Sequence, residues 1–437
     1  MNDIDWKAAT DEAARYLADL VRFDTTNPPG NELACAKYIA ALLSKEGIES
    51  LVLESAPGRA NVVGRLRGDG SKKPLLLMSH IDVVPAESSH WEVPPFSGEI
   101  RDGFLWGRGT LDTKNLTVMH LMTIFLLERH GIPLKRDIIF MANADEETGG
   151  KHGAVWMVDN HFDKIKAECA LNEGGSAMKF GAKTIFMCSN AEKGMTWVKL
   201  TAKGRAGHGS MPHSDNATLH MARAIKNITD YRTPIVVTDT LRRFAEVLSK
   251  ADARAHLLKL LSIPLLGDLL LKLVKDDMVK VMLRTTITPT AIKGGVKVNV
   301  IPDTCELMID CRLLPGVTRQ EIETTILRLA GSTEKMKLEF DIFNEATESP
   351  IDTEIYSTIE QVITAGHPEY LVSPLMMPGG TDSRFLRLKG VPAYGFAPII
   401  VTRDDIATIH GANERISIEN LTFGTRMMHR VVSSFCA

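Results

Sequence analysis

Trp6, Ala9, Ala13, Leu17, Leu20 and Val21 recur at steps of three and four, which predicts an amphipathic helix over residues 5–23. The string Thr25-Thr26-Asn27-Pro28-Pro29-Gly30 then stops it, because proline lacks the N–H that a continuing helix needs. A second helix is expected over 31–47. Further on the period changes. Runs rich in apolar residues at 61–66, 75–84 (LLLMSHIDVV), 138–144 (IIFMANA), 169–172 and 392–397 are bounded by turn residues, and helical stretches such as 115–130 (NLTVMHLMTIFLLERH) lie between them. Near-continuous apolar runs fit strands covered on both sides, so the alternation predicts an α/β fold with a mostly parallel sheet and helices on both faces.

From about residue 192 a second rhythm begins: a strand in MTWVKLTAKG, a helix over 215–229, strands in TAIKGGVKVNVI and ELMIDCRLL, a helix over 318–330 and a strand in KLEFDIF. That β-α-β-β-α-β order predicts a compact α+β domain inserted into the larger one. The expected division is a catalytic domain made of 1–191 and 344–437, with a lid or dimerisation domain over 192–343. Within the insertion, residues 238–283 read as an extra helical block whose centre, LLKLLSIPLLGDLLLKLV at 257–274, is strongly apolar. Lys259, Pro264, Gly267, Asp268 and Lys272 interrupt it, which argues against a membrane span. It reads either as a buried helical hairpin or as a wall for an apolar substrate group.

Composition narrows the function classes. With 437 residues, 44% of them hydrophobic and 24% charged, the chain suits a globular protein of two or three domains. Fifty-one Lys and Arg stand against 54 Asp and Glu, a net charge of −3, so no global basic field and no interleaved aromatics point to a nucleic acid. Six cysteines lack CxxC spacing, which predicts neither a disulfide framework nor a cysteine zinc site and suits a reducing compartment. The acidic, periodic N-terminal stretch is wrong for a secretory signal, so a cytoplasmic location is expected.

The candidate chemistry clusters where predicted strands end. His80 and Asp82 stand two apart at the end of LLLMSHIDVVP and so share a face, and a carboxylate is the usual partner for the second nitrogen of a metal-bound imidazole. GRGTLDTKN sets Gly107, Arg108, Gly109 and Asp112 before a helix; it imitates a dinucleotide loop, but a carboxylate at the third glycine position would repel a pyrophosphate. Asp112 is then either a helix cap or a carboxylate in the crevice. IIFMANA runs into Asp145-Glu146-Glu147, a costly charge cluster unless it is solvated or neutralised by a cation. CALNEGG delivers Glu173 in the same way, and TIHGANE brings His410 beside a glycine. Open α/β sheets gather ligands at the carboxyl ends of their strands. Together, His80, Asp112, Glu147, Glu173 and His410 make a set of two histidines and three carboxylates that suits two zinc-like ions sharing one carboxylate, with Glu146 left as a base. Two such ions would polarise a carbonyl, generate hydroxide near neutral pH and stabilise the oxyanion.

Over almost its whole length the sequence resembles the M20 di-zinc metallopeptidases, which include aminoacylase, acetylornithine deacetylase, succinyl-diaminopimelate desuccinylase and glutamate carboxypeptidase. WEVPPFSG followed by GRGTLDTKN, the helical insertion and GVKVNVIP are most similar to the carboxypeptidase S and N-fatty-acyl-amino-acid hydrolase branch. The resemblance implies that Asp112 bridges two divalent ions, zinc first, with cobalt or manganese acceptable to the same ligands. It implies that His80 and Glu173 complete one site, Glu147 and His410 the other. By the same likeness Asp82 orients His80, and Glu146 activates water and then protonates the leaving amine. The inserted domain would make a homodimer, with His208 of GRAGHGSMPH reaching the partner's oxyanion. Asn299 in KVNVIP and Arg384 in GGTDSR match substrate-binding positions, the arginine suiting a terminal carboxylate, and Arg312 is a further candidate of that kind. Asn115 stands where the wider family has glycine, a feature that the acyl-amino-acid branch shares.

The expected function is metal-dependent hydrolysis of an amide bond in N-acyl-amino acids or small peptides with a free carboxylate. The alternatives are a narrow deacylase of acetylated or succinylated biosynthetic amines, a dipeptidase, and a ligand-binding relative without catalysis. A lipid-like acyl group would want the apolar wall, whereas a succinyl group would want an additional cation.

Overall fold

The computed structural model describes residues 4–252, 271, 277–331 and 334–437. Trp6–Arg22 forms the first helix, opened by Asp5, whose carboxylate accepts from the backbone N–H groups of Lys7 and Ala8. Leu33–Lys45 and Lys114–Arg129 follow as helices. Strands Ile138–Asn143, Leu75–His80, Cys169–Asn172 and Ala393–Gly395 lie side by side in that order and run parallel. Antiparallel strands extend this parallel centre, Arg59–Leu66 and Glu49–Ala56 on one side and Lys183–Glu192 on the other.

The continuous apolar runs have a direct cause. Leu75, Leu77, Ile138 and Phe140 pack under the helices Trp6–Arg22, Lys114–Arg129 and Ile418–Cys436. Leu76, Met78, Ile139 and Met141 pack on the opposite face with Met157 and Leu386. Neighbouring residues of a strand point to opposite faces, and here both faces are dry.

The run 75–84 is not a strand throughout. Its strand ends at His80, and Val83 then pairs with the Thr25–Asn27 segment, its N–H donating to the Thr25 carbonyl. The polar turn after the first helix therefore holds the chain just where His80 and Asp82 leave the sheet. Strand Lys183–Glu192 carries Thr184, Ser189 and Asn190 inside it, which masks it as an apolar run. The Asn190 amide is satisfied inside the protein, donating to the Thr240 hydroxyl and the Ser349 carbonyl.

Gly194–Lys203, Thr286–Gly294, Thr304–Leu313 and Met336–Asn344 build a second, antiparallel sheet in the order 286–294, 304–313, 194–203, 336–344. Val198, Leu200, Leu307 and Ile309 turn one face of it toward Met221 and Ile326 of the helices Ala217–Asp230 and Arg319–Ala330. The run TAIKGGVKVNVI is broken at Gly294-Gly295, where Gly295 has φ +73°, and only Val300–Ile301 returns to pair with Gly207–His208. Of the predicted helical block, Asp239–Leu248 and Asp277–Met282 pack Leu241, Phe244, Val279 and Met282 against Ala191, Leu375 and Met376 of the larger sheet. The apolar centre 257–274 lies outside the described residues except for Leu271, which joins this cluster. Among the described residues no helix is long and apolar enough to cross a membrane.

Candidate metal centre

The candidate ligands arrive from separate parts of the chain at one end of the parallel strands. His80 is the last residue of its strand, Glu173 follows Cys169–Asn172, and Glu146 and Glu147 open a short turn of 3-10 helix after Ile138–Asn143. Asp112 precedes the helix Lys114–Arg129, whose N-cap position is Thr113, so Asp112 is not the cap. His410, at φ +59°, stands in the loop before strand Arg415–Ser417.

Asp112 sits between the two histidines. Its Oδ1 is 3.2 Å from His80 Nε2, and its Oδ2 is 3.1 Å from His410 Nε2. Glu173 lies 3.4 Å from His80 Nε2, and Glu147 lies 3.3 Å from His410 Nε2. The donor atoms fall into two groups, His80–Asp112–Glu173 and Asp112–Glu147–His410, each with its atoms within 4.8 Å of one another. Glu147 Oε1 is buried and accepts no hydrogen bond among the described residues, an unfavourable state for a carboxylate oxygen that a cation would relieve. Two imidazoles and three carboxylates with one shared suit a pair of divalent ions, zinc, manganese or cobalt among them.

In the metal-free chain the histidines supply the positive charge. Burial works against a charged His80, but Glu173, Asp112 and Asp82 outweigh it and raise its pKa well above the ordinary value. Hydrogen bonds to Asp112 and Glu147 raise His410 to about 10. Burial acts to raise Asp112, yet its bonds to His410 and His80 hold it below the usual carboxylate range. Desolvation pushes Glu173 up to about 7 and Glu146 well above its ordinary value, with Glu173 adding repulsion at Glu146.

The surrounding residues fix these groups. Asp82 is fully buried, and His80 Nδ1 lies 3.0 Å from its backbone carbonyl oxygen and 3.4 Å from its Oδ1. Its oxygens accept from the backbone N–H groups of Glu146 at 3.1 Å and Glu147 at 3.2 Å, and from Asn27 Nδ2 at 2.8 Å. The acidic triplet divides by role. Asp145 pairs with Arg59 at 2.6 Å and accepts from Asn27, Thr148 and the His152 N–H, while Arg59 also grips Glu32 with two nitrogens. Asp382, buried beside Asn143 and raised to about 8 chiefly by burial, adds a further carboxyl near His80 and Glu173.

Sequence reasoning missed Asn27, Arg59, Asp382 and Glu414, a buried carboxylate that accepts from the Asp112 N–H. Asp382 lies inside GGTDSR and Glu414 inside TIHGANE, so the same motifs carried them. Arg59 and Glu32 have partners remote in sequence and left no local pattern.

The other candidates are placed as follows. His208 and Asn299 come together through the ribbon of Gly207–His208 and Val300–Ile301, the Gly209 N–H donating to the Asn299 carbonyl at 2.8 Å. Both are exposed, and among the described residues no hydrogen bond or ion pair links either to the five clustered ligands. The Arg384 guanidinium stacks over Phe385 at 4.6 Å, has no ion-pair partner among the described residues, and feels the charges of Glu192, Asp382 and Glu146. Arg312 is instead engaged by both oxygens of Asp310.

The sequence profile of peptidase family M20/M25/M40 matches residues 76–434. The N-fatty-acyl-amino acid synthase/hydrolase PM20D1 of Xenopus tropicalis is 30% identical over 395 residues, covering 88% of this chain and 77% of that protein. Aminoacylase-1 of Mus musculus is 27% identical over 403 residues, covering 91% and 88%. In three dimensions, the M20 family metallo-carboxypeptidase Sso-CP2 from Sulfolobus solfataricus superposes with a TM-score of 0.73 at 18% identity, over 97% of this chain and 99% of that one. A profile match from strand Leu75–His80 almost to the last residue, with relatives aligned over most of their length, makes this chain a member of the M20 peptidase family of metallopeptidases and amidohydrolases.

Proposed function

We propose that the protein hydrolyses the amide bond of N-acyl-amino acids with a free carboxylate, with an apolar acyl chain as the preferred acyl group. The observation that carries the reading is the pair of ligand clusters sharing Asp112, with Glu146 beside them and, within the field of Glu146 and Asp382, the Arg384 guanidinium, which has no ion-pair partner among the described residues. His80 and Glu173 would hold one divalent ion, Glu147 and His410 the other, with Asp112 between them. Two ions bound there would polarise the scissile carbonyl and acidify water. Glu146, whose proton affinity its surroundings raise, suits both accepting a proton from water and returning it to the leaving amine. Asp82 orients His80 and holds the Glu146 and Glu147 backbone. Arg384 grips the substrate carboxylate and leaves Arg312 to its partner Asp310.

The insertion over 192–343 serves as lid and dimerisation domain, and His208 and Asn299 on it complete the oxyanion and substrate contacts. Six free, buried cysteines support a cytoplasmic location. The acyl preference draws support from the likeness to the N-fatty-acyl-amino acid synthase/hydrolase of Xenopus tropicalis, 30% identical over 395 residues.

The test assays zinc-loaded wild type and Glu146→Gln on matched N-acetyl and long-chain N-acyl forms of one amino acid. Wild type should favour the long chain, and the variant should lose turnover by about 100-fold or more while keeping its metal. Full activity in the variant overturns the mechanism, and a preference for acetyl overturns the substrate class.

A further inference from the structure

Glu414 lies four residues beyond His410, is wholly buried, and has its two oxygens filled by donors from the loop that bears Asp112. One oxygen accepts the N–H groups of Leu111 at 2.7 Å and Asp112 at 3.1 Å. The other accepts the Gly109 N–H at 3.1 Å and Arg108 Nη1 at 2.7 Å. Arg108 is itself buried, and its Nη2 donates to the Gly411 carbonyl at 2.7 Å, directly after His410. The circle closes through the backbone, where the Gly107 N–H donates to the Glu414 carbonyl at 2.9 Å and Arg415 pairs with Trp106. The two loops therefore meet through one carboxylate and one guanidinium, and one loop carries Asp112 while the other carries His410.

We propose that Glu414, with Arg108, is a positioning residue that sets the separation of Asp112 from His410 and so the geometry in which the shared carboxylate meets its second ion. The inference rests on the metal reading above. The backbone N–H groups of Gly109, Leu111 and Asp112 find no partner in a sheet or helix, and a side-chain acceptor that takes all three fixes the path of residues 109–112. Arg108 supplies the link to Gly411 that a backbone acceptor alone would lack. A purely structural brace would need only to hold strand Arg415–Ser417 on strand Phe104–Trp106, which their own ladder already does. The carboxylate is spent instead on the residues that lead into Asp112.

Glu414→Gln keeps the shape but turns an amide N–H₂ toward either the Gly109 and Arg108 donors or the Leu111 and Asp112 donors. Arg108→Lys keeps the charge and loses the fork that reaches Gly411. Chelator-stripped wild type, Glu414→Gln and Arg108→Lys are titrated with zinc against a chromogenic competitor, and the visible bands of the cobalt-loaded proteins are recorded. Far-ultraviolet circular dichroism confirms that each stripped protein is folded. Wild type should take two ions, and each variant should bind zinc about 10- to 100-fold more weakly with altered cobalt bands. Variants that fold and keep wild-type zinc affinity and cobalt bands overturn the positioning role alone. No zinc uptake by wild type overturns the metal reading and this inference with it. Should Glu414→Gln fail to fold, Arg108→Lys carries the same two readouts.

Discussion

Asp112 shows how a carboxylate is kept ionised in a protein interior: each oxygen faces a different histidine, at 3.2 and 3.1 Å, and those contacts outweigh the cost of burial. The reciprocal effect on His410 makes a pH prediction with a definite sign. Its folded value of about 10 lies above the ordinary 6.5, so its pairing stabilises the metal-free protein fully below pH 6.5 and is lost as pH rises toward 10. The melting-temperature gap between metal-free wild type and metal-free His410→Asn should therefore narrow from pH 6.5 to pH 10, as read by calorimetry. A gap that widens over that range contradicts the pairing. The same residue scale explains why the acidic triplet at 145–147 was only partly legible. Three adjacent acids announce a charge problem, but the sequence cannot say that Arg59, 86 positions away, solves it for Asp145 and leaves Glu146 and Glu147 to the site.

The element that matters most is the parallel strand Leu75–His80, because its last residue is a candidate ligand and its other residues are buried on both faces. Leu77 is inaccessible to solvent, and Leu77→Ala should cost about 2–5 kcal/mol of stability through lost transfer energy and a residual cavity. Chemical denaturation measures this; a loss under about 1 kcal/mol would mean that the site collapses around the gap. An element with one strong period was readable, as helix Trp6–Arg22 shows, because apolar spacing decides it, whereas Lys114–Arg129 is buried all round from Lys114 to Leu127 and was readable only from the length of its run. Strand Lys183–Glu192 was not, since its polar residues are satisfied by Thr240 and Ser349 from distant segments. The apparent strand TAIKGGVKVNVI failed for a local reason, a left-handed glycine in its middle.

At the scale of the whole molecule, the second sheet ends in an edge strand, Thr286–Gly294, followed by an apolar loop in water. Ile292 is 59% exposed, Val296 99% and Val298 102%. Open edges with such side chains invite pairing with another chain, which supports the proposed homodimer. Light scattering after size exclusion should give twice the chain mass for wild type and a shift toward monomer for Ile292→Lys; a monomeric wild type rejects the dimer.

The sequence by itself determined the α/β class, because the period and length of apolar runs follow from burial on one face or two. It also offered the candidate ligands as a set, because polar residues at the strand ends of an open parallel sheet face one crevice. Only the tertiary structure decided which acids share the site and which are neutralised elsewhere. It alone seated the described ends of the helical block on the larger sheet, and it alone brought Glu414 under Asp112 across about 300 residues. Hydrogen bonds and ion pairs act over about 3 Å in space and are blind to separation along the chain, so their partners leave no period to read.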